Sequence, residues 1–142
     1  MANKSLIEKL LKRQEEETKV EVELKGLADT PFYVKLDKAL YKELQKEALQ
    51  TKGEGEGDKE VSQIVYNERV DALVIARSLH DHNEKPVFTG ELYEALGTWD
   101  AVEAVKKVIT YAEELTIHAA AKECLGFIRL DKVKKENDEL KN

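Results

Sequence analysis

From Tyr66 to Phe127 the chain reads as a run of helices of fixed length, each with a start signal or a stop signal written into it. An apolar stretch through Val70, Leu73, Val74 and Ile75 ends near Leu79. Thr89 opens a short helix carrying Leu92, Tyr93 and Leu96, and Gly97 closes it in the left-handed conformation that glycine adopts most readily. Thr98 can cap the next helix, with Val102, Val105 and Val108 turned inward. Thr110 followed by Glu113 forms a capping box, in which each residue satisfies a backbone donor of the other's turn. That last helix runs through Leu115, Ile117, Ala119 and Ala120 to Gly126. Phe127 then stands where a Schellman motif places its hydrophobic contact. This punctuation reads as a pack of short helices.

The N-terminal half changes period. Ser5 and Glu8 have capping-box spacing, and Leu6, Ile7, Leu10 and Leu11 form a stripe at helical spacing. The run Glu15-Glu16-Glu17 sits badly at a helix C-terminus, where the dipole is negative, and predicts fraying there. Val20, Val22 and Leu24 then alternate with charged residues, as do Phe32, Val34 and Leu36 with polar or half-polar neighbours. The turn residues from Gly26 to Pro31 join the two runs into a hairpin spanning about Lys19 to Leu36, which needs a helix to cover one face. Asp37 can cap a helix with Leu40, Tyr41, Leu44 and Ala48 inward. The fold class expected is α+β, mainly α: a helical C-terminal half with a small N-terminal β-hairpin.

The boundaries follow from composition. Residues 1–51 form a helix–hairpin–helix unit. Residues 52–60 form an acidic, glycine-rich loop without apolar residues, expected to be mobile and dispensable for folding. Residues 61–130 are the helical region, and residues 131–142 a charged tail. With 142 residues and 42% hydrophobic content the chain can build a core, and 37% charged residues favour a solvated helical surface. A net charge of −6 argues against general affinity for a phosphate backbone, so nucleic acid is not an expected partner. No apolar run reaches the length of a membrane span, and the N-terminus is too charged for a signal peptide. One cysteine, Cys124, permits no internal disulfide and points to a reducing compartment.

Candidate chemistry is sparse. His80-Asp81-His82 has two imidazoles beside a carboxylate, but a zinc site needs further donors, and only His118 and Cys124 remain of the usual types. The ordinary reading is a polar helix C-terminus, where histidine suits the dipole. His118 and Cys124 are six residues apart on one helix, a poor spacing for a base and a nucleophile. Cys124 reads as a small buried hydrophobe. Glu54, Glu56 and Asp58 lack the spacing and the closing glutamate of a calcium loop. The aromatics Phe88, Tyr93, Trp99 and Tyr111 are the better lead, because aromatics anchor interfaces, although they also fill cores. Trp99 falls at the start of a helix, just past the bend made by Gly97 and Thr98. The expected partner-binding residues are Tyr93, Leu96, Trp99 and Val102. No catalytic residue, metal ligand or cofactor is expected.

The order of these pieces carries a family resemblance. Val70-Asp71-Ala72-Leu73-Val74-Ile75-Ala76-Arg77-Ser78, then Asp81-His82-Asn83, then Glu91-Leu92-Tyr93-Glu94-Ala95-Leu96-Gly97, then Thr98 and Val102-Glu103-Ala104-Val105, and last Thr110-Tyr111-Ala112-Glu113 through Leu125-Gly126-Phe127, resemble the C-terminal half of the tail assembly chaperones of long-tailed phages and prophages of Gram-positive bacteria. Asp81-His82-Asn83 lacks the proline of the family turn, and Thr110-Tyr111-Ala112 replaces a common Pro-Gly. The resemblance implies a non-catalytic protein of virion morphogenesis in the host bacterial cytoplasm. Its implied partners are the tape measure protein, whose long apolar helices it keeps soluble, and the tail tube protein. It also implies absence from the mature virion, and it leaves self-association open. The alternatives are a structural or adaptor protein retained in the particle, and a small metal-binding enzyme built on His80, His82 and His118.

Overall fold

The computed structural model describes residues 3–15, 18–50 and 62–127. In chain order the elements are α1 (Asn3–Glu15), β1 (Lys19–Val22), β2 (Phe32–Lys35), α2 (Lys38–Leu49), α3 (Gln63–Ser78), β3 (Leu79–His80), α4 (Gly90–Leu96), α5 (Ala101–Val108) and α6 (Tyr111–Cys124). This is a mainly α, α+β fold with a small antiparallel sheet in the order β1-β2-β3. The loop expected at 52–60 and the tail expected at 131–142 lie outside the described residues.

The hairpin forms with Lys19 opposite Lys35 and Val22 opposite Phe32. That register puts Val22, Leu24, Phe32, Val34 and Leu36 on the buried side. A slip by one residue would turn all five to water, so burial fixes the pairing. On the outward side Lys19 and Lys35 both reach Glu84, at 3.0 and 3.1 Å, and Lys19 also lies 5.1 Å from the centre of the Tyr33 ring.

The sheet has a third strand, where only a hairpin was expected. Leu79 and His80 leave α3 and pair with Val34 and Tyr33. The cause is a tight turn. Asp81 Oδ1 accepts from the backbone N–H of Asn83 and of Lys85, at 2.9 and 3.0 Å. Glu84 takes a left-handed φ of 61°, and Val87 N–H returns to the Leu79 carbonyl. The turn folds the chain back on itself and leaves Leu79 fully buried. His80 and His82 therefore belong to a strand and its turn, not to a helix C-terminus.

Helix α6 packs across β1 and β2, while α3 packs against α2, α5, α6 and β2. The centre of the core is Val34, Leu44, Ile75, Leu79, Val105 and Ile117. Each such aliphatic contributes about 2–3 kcal/mol by burial. Ser78, also fully buried, donates its hydroxyl to the Val74 carbonyl one turn back, so its polar group is satisfied. Polar ties hold the helices in place from outside: Arg77 to both oxygens of Glu47, Lys106 to Glu68, and Arg69 to the carbonyl of Ala48 at the end of α2.

The caps on Asp37, Thr89, Gly97 and Thr110 form as the sequence reads. Thr110 and Glu113 make both bonds of the capping box. One start differs. Helix α1 begins at Asn3, so Ser5 and Glu8 lie within it and form no cap. Ser62 caps α3, and Ile64, two residues on, is 80% exposed. Among the described residues no helix is long and apolar enough to cross a membrane.

Candidate functional site

The bend between α4 and α5 is built from backbone bonds. Gly97 stands at φ 72°, its N–H bonded to the Glu94 carbonyl, and Thr98 N–H reaches the Tyr93 carbonyl. This is the Schellman pair, and it satisfies carbonyls that the end of a helix leaves open. The chain leaves the turn through Thr98, which is buried. Thr98 Oγ1 donates to Glu103 at 2.9 Å and accepts from Asp100 N–H at 3.1 Å. Asp100, not Thr98, is the N-cap of α5, accepting from Val102 N–H. The threonine is drawn inward because its hydroxyl has two partners inside the turn, which leaves the cap to the next oxygen-bearing side chain. Lys107 Nζ on α5 reaches back to the Leu96 carbonyl at 3.1 Å and ties the two helices together.

Trp99 consequently precedes α5 instead of lying in its first turn, and it is 74% exposed. Its ring stacks on Tyr93 with centroids 5.9 Å apart and planes 24° apart. Tyr93 in turn meets Phe88 at 6.2 Å, and Phe88 is buried. The three rings form a ladder from core to solvent. Burial raises the Tyr93 phenol above its ordinary pKa. The outer edge of the indole ring lies over the first turn of α4, 4.0 Å from where a side chain on Gly90 would begin. Leu96 and Val102 are partly buried against the core beside it. The four expected partner-binding residues thus lie on one bend and the helices flanking it. Only Trp99 among them stands mainly in solvent.

The other candidates are occupied structurally. Half-buried His80 donates from Nδ1 to the Ser78 carbonyl at 2.8 Å. Among the described residues no group of three or more His, Cys, Asp or Glu side chains is arranged to hold a metal ion. Cys124 donates its thiol to the Val34 carbonyl at 3.2 Å, and burial raises its pKa, away from the thiolate that nucleophilic chemistry requires. Burial lowers the pKa of His118, against the pull of Asp71 and Glu114. Tyr111, grouped with the other aromatics in the sequence, is exposed at the first residue of α6 and joins no ring stack.

A second apolar surface follows from the exposure of α1. Leu6, Ile7, Leu10 and Leu11 are all about half exposed, and every described side chain from Lys4 to Arg13 faces solvent. The sequence marks the stripe but not whether anything covers it. Among known proteins, no family model, curated protein or solved structure matches this chain.

Proposed function

We propose that this chain is a tail assembly chaperone that holds an amphipathic helix of a tape measure protein against the bend between α4 and α5, and so aids assembly of the tail tube. Two supports stand behind the reading. One is the order of motifs from Val70 to Phe127, which resembles that family. The other, which carries the site, is Trp99: a large exposed ring braced on one side by Tyr93 and held just past a turn of fixed geometry. A braced aromatic loses little freedom on binding, which is why tryptophan and tyrosine anchor interfaces. The mechanism needs only burial. The partner's apolar residues, repeating at helical spacing, cover Trp99 and the exposed parts of Leu96 and Val102 in the helix-in-groove mode. No bond is made or broken, and no cofactor takes part.

The test is co-expression with the tape measure protein from the same genome, followed by pull-down. Trp99→Ala is expected to weaken capture by about 2 kcal/mol, as loss of a hot-spot aromatic does. Circular dichroism of the isolated variant is expected to match the parent. Unchanged capture by a folded variant moves the binding surface elsewhere. Mass spectrometry of purified particles separates the chaperone from a structural component: the chaperone is absent, and presence overturns that part of the reading.

A further inference from the structure

The corner around Trp99 carries more acid than base: Glu91, Glu94, Asp100 and Glu103 lie on α4, the bend and α5, against Lys107 at the bend. Gly90 and Glu94 share a row of α4, four residues apart, and the Trp99 ring lies over Gly90. Glu91 is the next residue along, and both glutamates are exposed with no ion pair among the described residues. Of the nearby bases, Arg77 is paired with Glu47 and Lys106 with Glu68, while Lys107 stays at the bend on the Leu96 carbonyl. Asp100 and Glu103 stay in the turn as the N-cap and the Thr98 acceptor. The indole stacks on Tyr93 and is 74% exposed.

We infer that this corner selects a basic partner segment, seating a lysine or arginine on the exposed indole of Trp99, with Glu91 and Glu94 on the adjoining helix α4. An aromatic face attracts a cation, and neighbouring carboxylates strengthen that preference and repel an acidic competitor. The inference rests on the reading of this bend as a helix-binding surface. The occupant is an amphipathic helix whose apolar face covers Leu96 and Val102 and whose polar margin carries Lys or Arg.

The test uses the full chain and two synthetic amphipathic peptides with the same leucine face. One carries lysine and arginine on its polar side, the other glutamate. Trp99 is the only tryptophan, so its emission reports occupancy of the corner directly. The basic peptide is expected to change that emission and to bind about tenfold or more tighter than the acidic one. Glu91→Gln with Glu94→Gln is expected to weaken the basic peptide about fivefold and to flatten the salt dependence. Glu21→Gln with Glu23→Gln, on the outward side of the hairpin, is expected to leave binding unchanged. Equal affinity for the two peptides overturns the inference, and so does an equal loss from the Glu21 and Glu23 pair. If calorimetry shows that Trp99→Ala abolishes binding while the Glu91 and Glu94 changes do nothing, the corner still binds helices but without charge selection. If Trp99→Ala binds both peptides as the parent does, the corner reading falls as well. Emission that changes with protein concentration alone identifies a second copy as the occupant and overturns the assignment of a separate basic helix.

Discussion

The α4–α5 bend and helix α1 both hold large apolar side chains in water, but they are built in different ways. At the bend, Trp99 is the last rung of a ladder that starts in the core at Phe88, and the turn beneath it is fixed by Gly97, Thr98, Asp100 and Lys107. In α1, four aliphatic side chains line a helix whose described side chains all face solvent. Exposure alone therefore does not distinguish a prepared surface from an uncovered one. The difference lies in what restrains the side chain before a partner arrives. A restrained ring keeps most of its binding energy, whereas a helix held only by its own backbone must also be ordered.

The sharpest way to break this comparison is to loosen the core beneath the bend. Ile75 is fully buried on α3, against which α5 packs. Ile75→Ala is expected to cost about 2–5 kcal/mol, the transfer loss plus the cavity. Urea unfolding followed by Trp99 emission should show the bend melting with the rest of the chain in one transition. A separate early transition in Trp99 emission would mean that the bend is no more integrated than α1.

A smaller effect is expected within the turn itself. Gly97 has open space where a side chain would begin, so a methyl group meets no neighbour and only the backbone is strained at φ 72°. Gly97→Ala is expected to cost about 1 kcal/mol. If the bend is prepared for its partner, the same change should weaken partner capture by more than the loss of stability accounts for. Capture unaffected by Gly97→Ala would remove preorganisation from the argument.

These features were not equally legible in the sequence. Caps and stops are local chemistry, so Asp37, Thr89, Gly97 and Thr110 could be read from neighbouring residues alone. The hairpin was legible because alternation at Val20–Leu24 and Phe32–Leu36 is a period of two that no helix shares. The third strand was not, because two residues carry no period and the pairing depends on a turn organised by Asp81. Thr98 and Asp100 are both good caps by type, and Thr98 instead gives its hydroxyl to Glu103, five residues on in the first turn of α5. At the bend the sequence could nominate Tyr93 and Trp99, but the stack between them depends on the direction in which the Schellman turn releases the chain. Ile64 and the stripe on α1 are apolar by pattern and exposed in fact, because pattern records which residues can be buried and not whether a surface arrives to bury them.

His118 offers a weaker probe of the packed side of the molecule. Burial on α6 lowers its pKa, with Lys122 acting in the same direction and Asp71 and Glu114 opposing. In the unfolded chain the imidazole titrates near its ordinary value of about 6.5. Below that pH the unfolded chain binds a proton that the native chain resists. Stability is therefore full above the unfolded value and falls as pH drops toward the folded one. The expected outcome is a urea midpoint lower at about pH 5.5 than at about pH 7.5, with that difference reduced in His118→Gln. The opposite slope would mean that Asp71 and Glu114 outweigh burial.

The smallest expected change comes from removing α1. If its apolar stripe is uncovered in the isolated chain, deleting residues 1–15 takes away no packing. Global stability should then change by no more than about 0.5 kcal/mol, close to the limit for surface changes remote from the core. A thermal melt should shift by about 2–4 °C at most. Far-ultraviolet circular dichroism should lose helical signal without a change in cooperativity, and Trp99 emission should stay as in the full chain, since the ring is braced by Tyr93 and not by α1. The peptide 3–15 alone should show little helix in water, because a helix of this length is marginal without a surface to lie on. A large drop in melting temperature would show that the stripe of Leu6, Ile7, Leu10 and Leu11 packs on the rest of the molecule in solution. The two surfaces would then differ in partner rather than in preparation, since α1 would be held by its own chain while Trp99 would still stand open to another.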